Sequence, residues 1–285
     1  MPLDFRYHII SITSVFMALI LGIVIGIAMK PGEIVSKEIE NLQSEFKILN
    51  SDLERSKNLN KKNDELMTAL NNNLMKNTLV NRNVIVIYGT GVADNNTIKN
   101  LENSLYNAGA NLTAELFLQP RITELDNSVL KTLSPSTENN TLEDVIKNLG
   151  SVIGTPLAQY IVDELKKQKA LIYNGDVTVR AGTVIYFGTI TRDVNHINNI
   201  TIPLLSSLNN RDLVLAAVSP TTTLIDPTRT YRRYAKITID NIDTPAGMLA
   251  LLAALQHREK AYGDYGIGND TNYFVRDIGK TAAGR

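Results

Sequence analysis

Between Ile9 and Met29 the chain runs for 21 residues without a charged side chain (IISITSVFMALILGIVIGIAM). A helix of that length rises about 32 Å, close to the roughly 30 Å hydrocarbon core of a bilayer. Its only polar side chains are Ser11, Thr13 and Ser14, whose hydroxyls can bond back to the helix's own carbonyls. The alternative is a cleaved signal peptide. Gly26-Ile27-Ala28 loosely meets the small-x-small cleavage pattern, but an apolar signal region normally covers about 7–15 residues and this one is longer. The expectation is therefore a retained single-pass anchor at 9–29 behind a short tail at 1–8. Flanking charge does not orient it. Asp4, Arg6 and the amino terminus precede the span, and Lys30, Lys37 and several glutamates follow. Gly22 and Gly26 form a GxxxG pair, which lets two helix backbones approach and can drive dimerisation. Glycine is also simply common in membrane helices.

Pro31-Gly32 ends this segment, and a heptad pattern starts at Val35. The a positions are Ile39, Phe46, Leu53, Asn60, Met67 and Leu74. The d positions are Val35, Leu42, Leu49, Ser56, Asn63 and Leu70. Nine of these twelve are apolar, which predicts a coiled-coil stalk over 33–76. Ser56, Asn60 and Asn63 make the middle of the seam polar. Asn60, at an a position, is the expected register residue of a two-stranded coil. A lone amphipathic helix folded back on the rest of the chain is the alternative. Asn71-Asn72-Asn73 and Lys76-Asn77 read as the run-out into a linker. The stalk and the glycine pair independently point to a parallel homodimer held at a lipid bilayer.

After Arg82 the texture changes. Val84 to Tyr88 (VIVIY) suits a buried parallel strand, Thr97 to Ala108 has helical spacing, and Leu112 to Phe117 reads as a second strand. Further strands are expected at 170–173, 184–187, 213–218 and 236–242. Helices are expected at 142–149, 156–167 and 246–256. Thr244 is a natural N-cap there, with Pro245 in the first turn. Strands alternating with helices predict a mostly parallel, doubly wound (Rossmann-like) α/β domain over 82–258. Residues 126–140 read as a surface loop. The Gly-rich tail at 259–285 reads as poorly ordered.

Chemistry is sparsely signalled. The 29 basic side chains equal the 29 acidic ones, so nothing overall favours nucleic acid. The absence of cysteine excludes disulfides, thiolate metal sites and a cysteine nucleophile. Gly89-Thr90-Gly91 follows the first strand, but Asp94 stands where a dinucleotide fingerprint needs its third glycine, and a carboxylate there repels a pyrophosphate. No GxSxG elbow is present. His8, His196 and His257 are isolated and read as surface or membrane-flank residues. The six methionines do not cluster, so no soft copper site is supplied locally. Asp240 and Asp243 could bind a hard cation or do acid–base work, but a capping role fits better beside Thr244-Pro245. Arg229, Arg232 and Arg233, interleaved with Tyr231 and Tyr234, could meet an anionic partner or simply be a solvated loop. No catalytic residue, cofactor site or metal ligand is assigned, and the chain is not read as an enzyme.

Three stretches carry a family resemblance. The first is Tyr7-His8-Ile9-Ile10-Ser11-Ile12 through Ala18-Leu19, Gly22 and Gly26. The second is Leu105-Tyr106-Asn107-Ala108-Gly109-Ala110. The third and most specific is Thr238-Ile239-Asp240-Asn241-Ile242-Asp243-Thr244-Pro245-Ala246-Gly247, followed by Ala250-Leu251 and Tyr262-Gly263-Asp264-Tyr265-Gly266. Together they resemble the MctB copper transport proteins and the related SteB proteins of Gram-positive bacteria. The resemblance implies a cell-membrane protein with its large domain outside the cytoplasm. It implies two roles. One is copper homeostasis or efflux, which brings copper in from the family label alone. The other is a dimeric scaffold for cell division and envelope integrity with a SteA-like partner. It also marks Asp240, Asn241, Asp243, Thr244 and Gly247 as motif residues. One transmembrane helix cannot by itself form a conduction path, which needs a bundle or a closed barrel.

Overall fold

A computed structural model of the chain describes residues 5–28, 32–91, 94–135, 140–188, 193–221, 230–257 and 263–266. The chain divides into two compact units, Met1–Lys62 and Asn63–Arg285.

In the first unit, helix α1 (Phe5–Ala28) covers most of the uncharged run. Its described side chains are those of residues 10–26, and from Ile10 to Ile25 its large apolar ones all stand more than half exposed. Among the described residues no helix is long and apolar enough to cross a membrane. The uncharged run itself extends past that described stretch at both ends, to Ile9 and Met29. Helix α2 (Gly32–Leu74) has 43 residues, of which those from Asn63 onward belong to the second unit. Leu42, Phe46, Leu49 and Leu53 on it are each more than half exposed, whereas Val35 and Ile39 lie outside the described side chains. A pairing of α2 with a second helix is not part of this single chain.

The second unit is built on a seven-stranded sheet in the order β3-β2-β1-β4-β5-β6-β7. Its strands are β1 (Asn83–Tyr88), β2 (Asn111–Leu118), β3 (Leu171–Gly175), β4 (Thr183–Phe187), β5 (Val214–Val218), β6 (Ile237–Ile239) and β7 (Gly263–Tyr265). All neighbours are parallel except β3, which runs antiparallel to β2 at the edge. The apolar runs are explained by layers on both faces. Ile85 and Ile87 of β1 enter one core with α4 (Asn127–Leu133), α5 (Leu142–Val152), α6 (Leu157–Lys167) and α8 (Ile202–Asn209). Val84, Val86 and Tyr88 enter the other with α3 (Asn95–Asn107) and α9 (Pro245–Gln256). The mostly parallel α/β sheet predicted from the alternation is what forms, with one antiparallel edge strand.

Three local expectations are corrected, and one segment that carried no expectation is filled in. The predicted loop at 126–140 contains α4, because Val129 and Leu133, four residues apart, both bury. The segment after β4 holds a short helix α7 (Val194–His196), a π-helical turn (Ile197–Thr201) and then α8. That turn breaks the 3.6-residue spacing by which a helix is read. Within the Gly-rich tail residues 263–265 form the ordered strand β7, with Asp264 and Tyr265 buried; residues 259–262 and 267–285 lie outside the described residues. Finally, Asn71 is not linker. It lies on α2, is 7% exposed, and its Nδ2 donates to the Pro245 carbonyl at 2.8 Å. The guanidinium of Arg82 closes the opposite end of α9, donating to the carbonyls of Leu255 and Gln256, where a cation complements the helix dipole.

Candidate functional site

Chain order places the topological switch point between β1 and β4, since β2 lies on one side of β1 and β4 on the other. Open parallel sheets bind ligands outside the C-terminal ends of such strands. Here the backbone beyond each strand is tied to its neighbour. The Gly89 amide donates to Phe187 O (2.8 Å), Gly188 to Val218 O (2.7 Å) and Ser219 to Ile239 O (2.8 Å). Thr90 and His196 meet in this crevice, with Oγ1 and Nε2 2.9 Å apart and both side chains buried. Burial lowers the proton affinity of His196 below the usual histidine value, partly offset by Asp193. The sequence reading of His196 as a surface residue is therefore corrected. Tyr231 lies against Gly188 so closely that a Cβ there would strike its ring. It stands edge-on to Tyr186, ring centroids 5.7 Å apart, and the Tyr186 hydroxyl shares a 3.1 Å hydrogen bond with Thr201.

Asp94 occupies the position where a pyrophosphate would be cradled. It caps α3, accepting from the amides of Asn96 (3.0 Å) and Thr97 (3.3 Å) and from the Thr97 hydroxyl (2.5 Å). Those bonds hold its carboxyl below the usual range. The anion-binding end of α3 is thus filled by the chain's own carboxylate.

The motif residues form the junction from β6 to α9. Thr244 is the N-cap, its hydroxyl accepting from the Gly247 amide at 3.1 Å and donating to the Asn241 carbonyl at 2.8 Å. Asn241, 1% exposed, donates through Nδ2 to Thr244 Oγ1 at 3.1 Å. Among the described residues its Oδ1 and that of Asn71 are both buried without a hydrogen-bond partner. A Cβ on Gly247 would drive into the Asn241 backbone carbonyl, so only glycine fits. Asp243 accepts from the Thr221 amide (2.7 Å) and hydroxyl (2.8 Å). The capping expectation is met by Thr244 itself, while Asp243 pins the loop after β5. Asp240 sits tightly against Gly266, and its amide donates to Tyr265 O at 3.3 Å. The two carboxylates thus serve different neighbours. Beside the junction, a cleft of about 390 Å³ is lined by amides and hydroxyls, among them Asn71, Asn100, Asn103, Asn107 and Thr244.

The arginine–tyrosine stretch does not form one surface patch. Tyr231 is buried and Tyr234 packs at the edge of a core. Arg232 pairs with Asp264 at 3.1 Å, and Asp264 also accepts from the Thr238 hydroxyl at 2.5 Å. Arg233 is exposed. Arg229 lies outside the described residues. Away from the edge, the Tyr88 hydroxyl donates to Glu115 of β2 at 3.1 Å. Burial and the nearby Glu102 push the Glu115 carboxyl up to about 7, against the hydrogen bonds from Tyr88 and Asn174. Gly22 and Gly26 face open space in the single chain, and Asn60 is exposed.

A family model described as "Copper transport outer membrane protein, MctB" matches residues 3–275. The chain belongs to the MctB family. No curated protein matches it. The MctB match takes in α1, α2 and all seven described strands, including the tail strand β7. The MctB description concerns copper, whose soft sites draw on thiolates, thioethers and imidazoles. Among the described residues no three His, Cys, Asp or Glu side chains gather as a metal group, and the sequence has no cysteine.

Proposed function

We propose that the chain is a single-pass, non-catalytic component of the cell envelope that serves copper homeostasis as an organiser, not as the conduit. The MctB match supplies the copper connection. The observation that carries the organiser reading is the filled edge of the sheet. Thr90, His196 and Tyr231 occupy the crevice where a doubly wound domain would hold a ligand, and Asp94 caps the helix beside it. The uncharged run from Ile9 to Met29 supports an anchor. The exposed leucines of α2, with Gly22 and Gly26, support a parallel homodimer. The resemblance supports a domain facing away from the cytoplasm.

A second reading is a SteB-like scaffold for division and envelope integrity that engages a SteA-like protein. It is favoured by the lack of a three-ligand metal group among the described residues. The test is titration of the full chain, in detergent, with Cu(I) against a chromophoric chelator, alongside affinity capture from the native envelope. Stoichiometric copper uptake supports the first reading. No uptake, with capture of a SteA-like partner and septal location, moves the assignment to the second. Uniform location with no such partner removes the second.

A further inference from the structure

The candidate seam positions along α2, apolar except for Ser56 and Asn63, do not keep one frame. From Leu42 they run four, three and four residues, through Phe46 and Leu49 to Leu53. They then run three and three, through Ser56 to Leu59. Beyond Leu59 they run four, three and four again, through Asn63 and Leu66 to Leu70. Leu59 and Leu66 are 54% and 58% exposed, yet each stands one residue before the a positions of an unbroken heptad count. One residue is about 100° of helix rotation, so the two choices put different faces on the seam.

What α2 does below Asn63 separates them. Asn71 is buried and bonded to Pro245 O, Met75 packs against the core beneath α9, and Thr68 lines the cleft beside α3. Met67 is half-buried, whereas Leu66 stays exposed. An unbroken heptad would turn its seam through Met67, toward the side already committed to the domain. In the other choice Asn63 and Leu66 are exposed, and Leu70, common to both frames, is half-buried.

We infer that two copies of α2 pair in parallel along a seam that shifts frame once, at Ser56, through an extra three-residue step. Such an insertion locally overwinds a coiled coil. This rests on the homodimer proposed above and specifies its interface. A second copy is the occupant because the polar layers suit self-pairing. In the shifted frame Asn63 takes an a position, where an asparagine meets its own counterpart and fixes register and strand number, and Asn60 leaves the seam. Ser56 meets Ser56 at the shift. Asp52 and Lys57 stand at g and the following e positions, opposite in sign across a parallel pair.

The chain has no cysteine, so single cysteines report on pairing without a background. The experiment introduces Leu49→Cys, Leu53→Cys, Leu59→Cys, Asn60→Cys, Leu66→Cys and Met67→Cys singly into the full chain in membranes and oxidises each. Leu49→Cys and Leu53→Cys lie on the seam in either frame and test the dimer itself. A disulfide needs Cβ atoms about 3.5–4.5 Å apart, so Leu59→Cys and Leu66→Cys are expected to cross-link roughly five-fold faster than Asn60→Cys and Met67→Cys. Asn60 is exposed and is the clean comparator. The reverse order means an unbroken heptad and overturns the shift. Cross-linking at 49 and 53 with none from 59 onward means that the seam stops at Ser56, which also overturns it. No cross-linking at 49 and 53 overturns the homodimer instead.

Discussion

Two places on one edge of the sheet behave differently. The junction after β6, from Asp240 to Gly247, is written in one continuous stretch and locked by local geometry. The crevice between β1 and β4 is assembled from Thr90 and His196, 106 residues apart, by strand order alone. The junction is the most family-specific part of the sequence, and its side chains serve structure. The crevice carries no motif, and it buries an ionisable group. A distinctive motif can therefore record a steric requirement, while a distinctive environment leaves no local mark.

The largest effect is expected at the junction. Gly247→Val places a branched side chain against a backbone carbonyl that cannot step aside. It should cost about 3 kcal/mol or more, at the severe end of overpacking, and show as loss of the folded domain in thermal unfolding. Near-normal stability would mean that the junction is no tighter than an ordinary helix start.

The contrast also explains what could be read in advance. Thr244, Pro245 and the helix after them were legible because capping is decided within a few neighbouring residues. So were the strands of the sheet, whose β-branched runs bury both faces. The role of His196 was not, because it depends on β4 lying next to β1, a non-local pairing. Nor were the α2–α9 contact at Asn71 or the tail strand, where polar residues bury only because a distant carbonyl or arginine awaits them. Lone histidines and asparagine runs have no periodicity to betray burial.

At the crevice, His196→Ala removes the partner of a buried threonine hydroxyl and leaves a hole. A loss of about 2–3 kcal/mol is expected in denaturant unfolding. The pH dependence follows from the lowered proton affinity. Below about 6.5 the unfolded chain takes up a proton that folded His196 resists, so stability falls as the pH drops through that range. His196→Gln should flatten this slope. An unchanged slope would show that the imidazole is not sheltered.

Glu115 sharpens the comparison because its sign is opposite. Its folded value is raised to about 7, so the folded state holds a proton that the unfolded chain has released from about pH 4.5 upward. Stability is lost as the pH rises through that window. Glu115→Gln should therefore stabilise at pH 8 and do little at pH 4. Because the residue is only half-buried, screening reduces the gain to about 1 kcal/mol. Equal effects at both pH values would assign the change to packing.

The smallest effect tests whether the junction extends to the tail. Arg232→Ala deletes a partly exposed ion pair, but its partner Asp264 is 8% exposed and keeps only the Thr238 hydroxyl among these contacts. The expected cost is about 0.5–1 kcal/mol, too little to shift global unfolding much. It should appear locally, because β7 is short and, among the described residues, lies at the sheet edge and pairs only with β6. Amide hydrogen exchange at Tyr265 should quicken while exchange in β1 and β4 stays unchanged. If all strands exchange faster together, the tail belongs to the same cooperative unit as the crevice, and the two ends of the edge are less independent than their sequences suggest.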